Sequence, residues 1–160
     1  MNRHEVAIAL GSNLGESRNI LASSLMTLDK ISGIEVKKKS SWYQTIPIGP
    51  PQPDYINSCA ILKVTLNPEE LLKTLLEVEI KFGRQRREKW GARTLDLDVI
   101  LFDNIIYNTP GLEIPHPRMR ERGFVLVPLA EIAPEWVDPI TGKTIKQLLQ
   151  FIDTSGVKLL

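Results

Sequence analysis

The sequence is short of the features that mark disulfide-rich, membrane-bound and nucleic-acid-binding proteins. Its 160 residues contain one cysteine, so no internal disulfide can form and a zinc site built on several cysteines is excluded. Lysine and arginine number 20 against 19 acidic residues, a net charge of +1 that provides no overall field to attract a polynucleotide or an anionic bilayer. No run of about 18 apolar residues is present to span a membrane. We therefore expect a cytoplasmic protein with no nucleic-acid or membrane partner, in which any anion site is local.

What is present is the composition of a folded domain. Hydrophobic residues make up 42% and charged residues 24% of the chain, values typical of soluble globular proteins. The sequence has no internal repeat, low-complexity tract or Gly/Ser linker. Because one domain usually takes about 100 to 200 residues, we expect residues 1–160 to form a single domain.

Alternating strand and helix patterns predict an α+β fold. The order β-α-β-β-α-β indicates a sandwich with helices on one face of a sheet. Ser17 is predicted to cap the first helix, and Asn67 with Pro68 to begin the second. Strands are predicted at 5–10, within 34–43, and at 56–66 and 96–102 with a hairpin partner at 105–107; helices are predicted at 17–31, 68–82, 123–132 and 144–152.

The segment from Arg84 to Asp98 carries the strongest chemical signal. Residues 84–93 hold five cations and one anion, and Asp96 and Asp98 follow. On a strand an i, i+2 pair points to the same face with Cα atoms about 6 to 7 Å apart. Two such carboxylates suit Mg²⁺, and nearby arginines suit a polyphosphate. The alternative is a solvated strand edge beside a solvated basic loop.

Three further features have both a functional and a structural interpretation. Trp90, in a polar loop, either packs against the domain or covers a planar substrate. His116 lies between two prolines on a stiff backbone, which favours a fixed donor or acceptor, although a lone histidine is commonly structural. Residues 11–15 (GSNLG) lack the spacing of a phosphate-binding loop and indicate a structural turn. Cys59, among apolar residues, is predicted to be a buried hydrophobe.

Residues 89–100 (KWGARTLDLDVI) resemble the signature of the 6-hydroxymethyl-7,8-dihydropterin pyrophosphokinase family of folate biosynthesis. Further motifs follow in the family's order: GSNLG at 11–15, SWYQT at 41–45, PDYIN at 53–57, PEELL at 68–72, Pro115-His116, and RGF at 122–124. The resemblance implies a ferredoxin-like fold with helices packed on an antiparallel sheet. It also implies transfer of pyrophosphate from ATP to the pterin hydroxymethyl group, with release of AMP. We expect a monomer whose partners are these two small molecules.

The resemblance also assigns the site, residue by residue. It makes Asp96 and Asp98 the ligands of two Mg²⁺ ions and, with Arg84 and Arg93, the catalytic group. The nucleotide contacts that it implies are Glu79, Arg84, Arg93, Val99, His116 and Arg122. The pterin contacts that it implies are Thr45, Ile46, Ile48, Tyr55, Asn57, Trp90 and Phe124. Pro117 and Leu76 replace polar residues found in some members.

Two alternatives stay open from the residues alone. A single-domain RNA-binding module could use the basic loop and Trp90 to stack bases, but residues 5–10 (EVAIAL) and 99–102 (VILF) supply only Phe102 in place of an aromatic sheet face. A metal-dependent sugar-nucleotide transferase could use Asp96 and Asp98, although such enzymes usually need a larger nucleotide-binding domain.

Overall fold

The fold is described from a computed structural model, which covers residues 3–46, 51–83 and 94–160. The predicted Ile48, Arg84, Trp90 and Arg93 contacts lie outside the described residues. The strands are β1 His4–Ser12, β2 Ile34–Lys39, β3 Tyr43–Thr45, β4 Tyr55–Val64, β5 Asp96–Phe102, β6 Tyr107–Thr109, β7 Leu112–Ile114 and β8 Val157–Leu159. The helices are α1 Ser17–Asp29, α2 Pro68–Lys81, α3 Gly123–Ile132 and α4 Ile145–Leu149, with a 3-10 turn at Met119–Glu121.

The main sheet has the order β5-β1-β4-β3-β8, and each of its pairings is antiparallel. The predicted strand within 34–43 is split into β2 and β3, which pair with successive parts of β4 along the same edge. Counting β2 and β3 as one position, the chain follows β-α-β-β-α-β with β1 and β4 in the centre. The predicted α+β fold with an antiparallel sheet is confirmed.

Helices pack on both faces of this sheet, so the prediction that they cover one face is wrong. Alternate residues of a strand face opposite sides, and both sides of β1 are apolar. The first core contains Val6, Ile8 and Leu10 of β1 with Leu21, Leu25 and Leu28 of α1 and Leu71, Leu75 and Val78 of α2. The second contains Ala7, Cys59 and Ile61 of the sheet with Val125, Leu126 and Leu129 of α3 and Ile145 and Leu148 of α4. We call these the α1/α2 face and the α3/α4 face.

Helix α2 begins and ends where its sequence predicts. The side chain of Asn67 accepts a hydrogen bond from the Glu70 N–H, and the Glu70 carboxylate accepts one from the Asn67 N–H. Pro68 occupies the first turn, where its missing N–H costs nothing. Gly83 follows the helix with φ of +85°, a conformation that favours glycine. Such a reciprocal cap stabilises a helix by about 1 kcal/mol.

Two local predictions are wrong. Ser17 is the first residue of α1 rather than its cap, and its hydroxyl accepts a hydrogen bond from the Ser12 hydroxyl at 2.9 Å. Residues 107–109 pair with 112–114 in a separate two-stranded sheet, and not with β5. Strand β8 was not predicted, and it extends the main sheet beside β3. Across the ranges that the structure covers, the helices are all too short or too polar to cross a membrane.

Candidate active site

The start of β5 presents Asp96 and Asp98 on one face of the sheet. Their neighbours Leu97 and Val99 are buried in the α1/α2 core, whereas both aspartates are partly exposed. Asp96 lies opposite Gly11 and Asp98 opposite Ala9 on β1. The predicted placement of the two carboxylates on a shared face is therefore confirmed, and that face is the α3/α4 side.

One row of residues crosses the sheet at this end. Asp96, Gly11, Asn57 and Tyr43 lie opposite one another on β5, β1, β4 and β3 in turn, and opposed residues share a face. A Cβ at Gly11 would lie 3.0 Å from Asn57 Nδ2 and 3.6 Å from Tyr55 Cδ1. Because Gly11 has no side chain, the Asn57 amide and the Tyr55 ring can pack directly against β1, next to the acidic edge formed by Asp96 and Asp98.

Asn57 is a buried amide with an unused acceptor. It is 5% exposed, and within the described ranges its Oδ1 has no hydrogen-bond partner. The same holds for Thr45 Oγ1 on the adjacent strand β3. Most buried polar atoms in proteins are hydrogen-bonded, so two neighbouring oxygens without a partner in the described residues are candidates to accept hydrogen bonds from a ligand. Ile46, the next residue, is largely exposed.

Arg122 and Phe124 enter the site at the start of α3. The Arg122 guanidinium carbon lies 5.4 Å from the centroid of the Phe124 ring, a cation–π contact. Phe124 packs partly buried against the α3/α4 core. Burial lowers the pKa of Arg122, and the charges of Asp98 and Asp96 oppose this shift, so the guanidinium lies within electrostatic range of both carboxylates. Arg122 nevertheless stays cationic, because arginine is not deprotonated in proteins.

His116 is fixed next to β5 by its main chain and its ring. Its N–H donates to Ile100 O at 3.0 Å, and its Nδ1 accepts from the Arg118 N–H at 3.2 Å. In the neutral imidazole this bond leaves the proton on Nε2, so Nε2 is a donor. Burial lowers the pKa of His116, whereas Asp98 raises it and Arg122 lowers it. The charges of Asp98 and Arg122 both act on His116, so the three groups lie within electrostatic range of one another; their contact with a nucleotide stays a prediction.

The three arginines near His116 have different partners. Arg118 pairs with Glu121 at 3.0 Å, and Arg120 pairs with the buried carboxylate of Asp138. In the part of the chain covered by the structure, Arg122 is the one of the three that pairs with no carboxylate. The sequence pattern did not indicate which of the three arginines is paired with a carboxylate. The structure leaves Arg122 as the cation available to the site.

Glu79 and Val99 support β5 from the other side. Glu79 on α2 is 2% exposed, and its Oε2 accepts a hydrogen bond from the Leu97 N–H at 2.7 Å, between the two aspartates. The Val99 side chain lies in the α1/α2 core, so a nucleotide contact by Val99 would come from its main chain. Nucleotide binding by these two residues stays a prediction.

Further hydrogen bonds connect the elements around the site. Their residues were not assigned to the site from the sequence. The Tyr43 hydroxyl donates to Glu131 on α3 at 2.6 Å, and burial together with this carboxylate raises the pKa of Tyr43 to about 12. Asn13, in the predicted structural turn, donates from Nδ2 to Gln52 Oε1 and Pro53 O. These contacts join residues 39 to 88 positions apart, and no local pattern indicates them.

Comparison with known proteins identifies the family of this chain. The family model described as 7,8-dihydro-6-hydroxymethylpterin-pyrophosphokinase (HPPK) matches residues 7–134. The chain belongs to this family. It is therefore a pyrophosphokinase of folate biosynthesis with ATP as co-substrate, as the resemblance implied. Membership of the HPPK family also decides against the RNA-binding and sugar-nucleotide alternatives.

Two relatives illustrate the similarity. A 2-amino-4-hydroxy-6-hydroxymethyldihydropteridine pyrophosphokinase of Synechocystis sp. is 53% identical over 154 residues, which cover 96% of this chain and 79% of the relative. A protein of the same name from Haemophilus influenzae is 41% identical over 153 residues, or 95% of this chain and 96% of the relative. The likeness therefore extends along nearly the whole sequence.

A solved structure shows the same fold at low identity. The crystal structure of Plasmodium falciparum HPPK-DHPS wild type with pteroate matches with a TM-score of 0.75 and 12% identity, over 93% of this chain. The chain spans 42% of the length of that protein. The match confirms the ferredoxin-like α+β fold of the HPPK family.

Proposed function

We propose that this chain binds ATP and 6-hydroxymethyl-7,8-dihydropterin at opposite ends of the row from Asp96 to Tyr43 and transfers pyrophosphate between them. The pterin hydroxyl oxygen attacks the β-phosphorus in line with the bond to the α-phosphate. That bond breaks, AMP leaves, and the hydroxyl proton passes to solvent. The single observation that supports this most is the row itself, in which the carboxylate-bearing start of β5 lies across Gly11 from a buried amide whose oxygen has no partner among the described residues.

Asn57 supplies the polar recognition of the pterin. A pterin is flat, with apolar faces and an edge dense in donors and acceptors, and Asn57 Oδ1 is an acceptor in need of a donor. Tyr55 and Phe124 are the aromatic residues for the two faces. Stacking adds only about 0.5 to 1.5 kcal/mol beyond burial, so the amide has to set the orientation. Thr45 and Ile46 adjoin this end, and the resemblance adds Ile48 and Trp90.

His116 and Arg122 bind the triphosphate. Arg122 offers a guanidinium without a carboxylate partner among the described residues, and His116 offers the Nε2–H donor that its contact with Arg118 selects. Both face Asp98. Such fixed donors stabilise charge that develops on phosphate oxygens without reorganising during the reaction. The resemblance adds Arg84 and Arg93 here, and Glu79 and Val99 beside them.

The residues present fit Mg²⁺. Asp96 and Asp98 provide two hard oxygen ligands, and across the described ranges no cluster of three or more acidic, histidine or cysteine side chains exists. Mg²⁺ typically takes one or two carboxylates and completes its shell with water and substrate phosphates, and not with a cage of protein ligands. When bound, two ions would neutralise phosphate charge and orient the triphosphate. Glu79 keeps the strand between the two carboxylates in place.

The identity of the nucleotide product tests this proposal. The protein is incubated with ATP, Mg²⁺ and 6-hydroxymethyl-7,8-dihydropterin, and the nucleotides are separated by ion-exchange chromatography. Equal amounts of AMP and pterin pyrophosphate are expected, whereas ADP would exclude attack at the β-phosphorus. A parallel reaction with chelator in place of Mg²⁺ should give no AMP.

We further propose that residues 1–160 act as one domain, as a monomer in the cytoplasm. The family match from 7 to 134 and the coverage of the relatives favour one catalytic unit. Sedimentation equilibrium at assay concentration tests the monomer: a mass above 18.1 kDa would contradict it.

A further inference from the structure

The residues that bind the triphosphate in our proposal share one short segment with little regular structure. His116 and Arg122 lie at its two ends, and between them is a single 3-10 turn, Met119–Glu121. A turn of this length has almost no stability of its own, because helix formation is cooperative. Tertiary contacts must therefore hold it.

Three contacts anchor this segment. The His116 N–H bonds to Ile100 O on β5, and Met119 is fully buried in the α3/α4 core. The third is an ion pair between Arg120, from Nε and Nη2, and the two oxygens of Asp138, at 2.5 and 2.9 Å. Arg120 lies two residues before Arg122, at the end of the turn that leads into α3.

Asp138 is well placed to fix the side chain of Arg120. It is fully buried, and its carboxylate also accepts hydrogen bonds from the Ile140 N–H at 3.0 Å and the Thr141 hydroxyl at 2.8 Å. Burial by itself raises the pKa of Asp138, but the bonds from Arg120, Ile140 and Thr141 outweigh it and lower the pKa. A charged, fully bonded carboxylate of this kind fixes an arginine in one geometry, because the two-pronged contact is directional.

We propose that Asp138 is a positioning residue for nucleotide binding: through its two-pronged contact with Arg120 it fixes the 3-10 turn and so aims Arg122 at the acidic edge. The inference rests on the proposed role of Arg122 in binding ATP. Asp138 itself touches no substrate. Arg120 is neutralised by Asp138 and does not serve the phosphates.

The effect of breaking this pair should be local. The bond of His116 to β5 and the buried Met119 remain, so the segment stays attached, while Arg122 gains freedom. Asn57 and Tyr55 lie on β4 and do not depend on the turn. Loss of a supporting contact behind a metal ligand costs about 10- to 100-fold in affinity, and we take the lower end of that range for a contact that supports an arginine. We expect the nucleotide to bind about tenfold more weakly, with pterin affinity unchanged.

The test uses D138N and R120Q in the full chain, with R122A as the direct-contact reference. Isothermal titration measures the Kd of a non-hydrolysable ATP analogue with Mg²⁺ and, separately, that of the pterin, and calorimetry gives the Tm. If D138N fails to fold, R120Q breaks the same pair and leaves Asp138 with Ile140 and Thr141. T141V is the matched structural control, because it removes one bond to Asp138 and keeps Arg120. K143Q is the charge control, since it removes one cation from the same loop.

Support requires weaker nucleotide binding in D138N or R120Q, with nearly wild-type nucleotide binding in T141V and K143Q. The inference is overturned if T141V weakens nucleotide binding as much as D138N at a similar loss of Tm, because the role is then only structural. An equal loss in K143Q overturns it as well, because general charge then explains the effect. Normal nucleotide binding in R122A refutes the proposed role of Arg122 and the inference with it. If R122A binds the nucleotide weakly while D138N and R120Q bind it normally, the inference about Asp138 is refuted and the proposed role of Arg122 is not.

Discussion

Replacing Gly11 by alanine tests the close packing of Asn57 against β1, between the two proposed substrate sites. The new Cβ would lie 3.0 Å from Asn57 Nδ2, whereas non-bonded heavy atoms prefer separations of about 3.5 to 4.0 Å. The amide must therefore move by roughly 0.5 Å. Gly11 has no positive φ, so the backbone accepts alanine without strain.

The expected loss is confined to the pterin. Weakening one buried hydrogen bond costs about 1 to 1.5 kcal/mol, which is a rise in pterin Kd of roughly 5- to 10-fold. Nucleotide affinity should stay within about twofold, because Asp96 and Asp98 are on the other side of Gly11. The Tm should change little, since the lower entropy of the unfolded alanine chain, worth about 0.4 to 1 kcal/mol, offsets the crowding.

Two variants make this result decisive. G156A is the matched control, because a Cβ at Gly156 has no atom within 4 Å and the residue lacks a positive φ. Its pterin Kd should equal that of the wild type. N57A removes the amide that the new methyl group would displace, so adding G11A to N57A should cause no further loss. A full 5- to 10-fold additional loss in the double variant would refute displacement of Asn57 as the cause.

Three other variants test other parts of the site. D98A should lower kcat by about 10²- to 10³-fold, the scale of one strong electrostatic contact; turnover near the wild-type rate would place the metal elsewhere. F124A should raise the pterin Kd and leave nucleotide Kd nearly unchanged, as measured by titration; equal losses would contradict the assigned pocket. For H116N we expect a flatter dependence of the free energy of unfolding on pH. Burial lowers the pKa of His116 in the folded state, so the unfolded chain binds its proton first as pH falls below about 6.5, and stability declines there. Urea unfolding from pH 5 to 8 measures this, and an unchanged slope in H116N would show that another group is responsible.

The parts of the fold that could be predicted are those specified by neighbouring residues. Asn67, Pro68 and Glu70 lie within one turn, and their capping box forms as the spacing indicates. The common face of Asp96 and Asp98 follows from the two-residue period of a strand alone. Both features are independent of the packing of the rest of the chain.

What could not be predicted depends on contacts between distant residues. The apolar residues of β1 on both faces are compatible with helices on one side and another sheet or none on the other, so periodicity could not place α3 and α4. The prediction that Ser17 caps α1 is wrong: the Ser17 hydroxyl accepts a hydrogen bond from the Ser12 hydroxyl and, among the described residues, does not bind the helix main chain. The partners of Arg120 and Tyr43 are 18 and 88 positions away along the chain. The sequence therefore indicated basic residues near His116 but not which of them faces the site.

On the α3/α4 face, the hydrophobic core and the candidate active site occupy neighbouring rows of the sheet. Ala9, Cys59 and Asp98 form the row next to that of Asp96 and Asn57, and Cys59 is fully buried under α3, with its thiol donating to Val125 O. Burial raises the pKa of that thiol, so it is a small neutral packing group. A larger side chain at Cys59 would push α3 away from the sheet, and Phe124 and Arg122 lie at the start of that helix. Core packing at this row therefore affects the position of the start of α3 relative to the sheet as well as the stability of the fold.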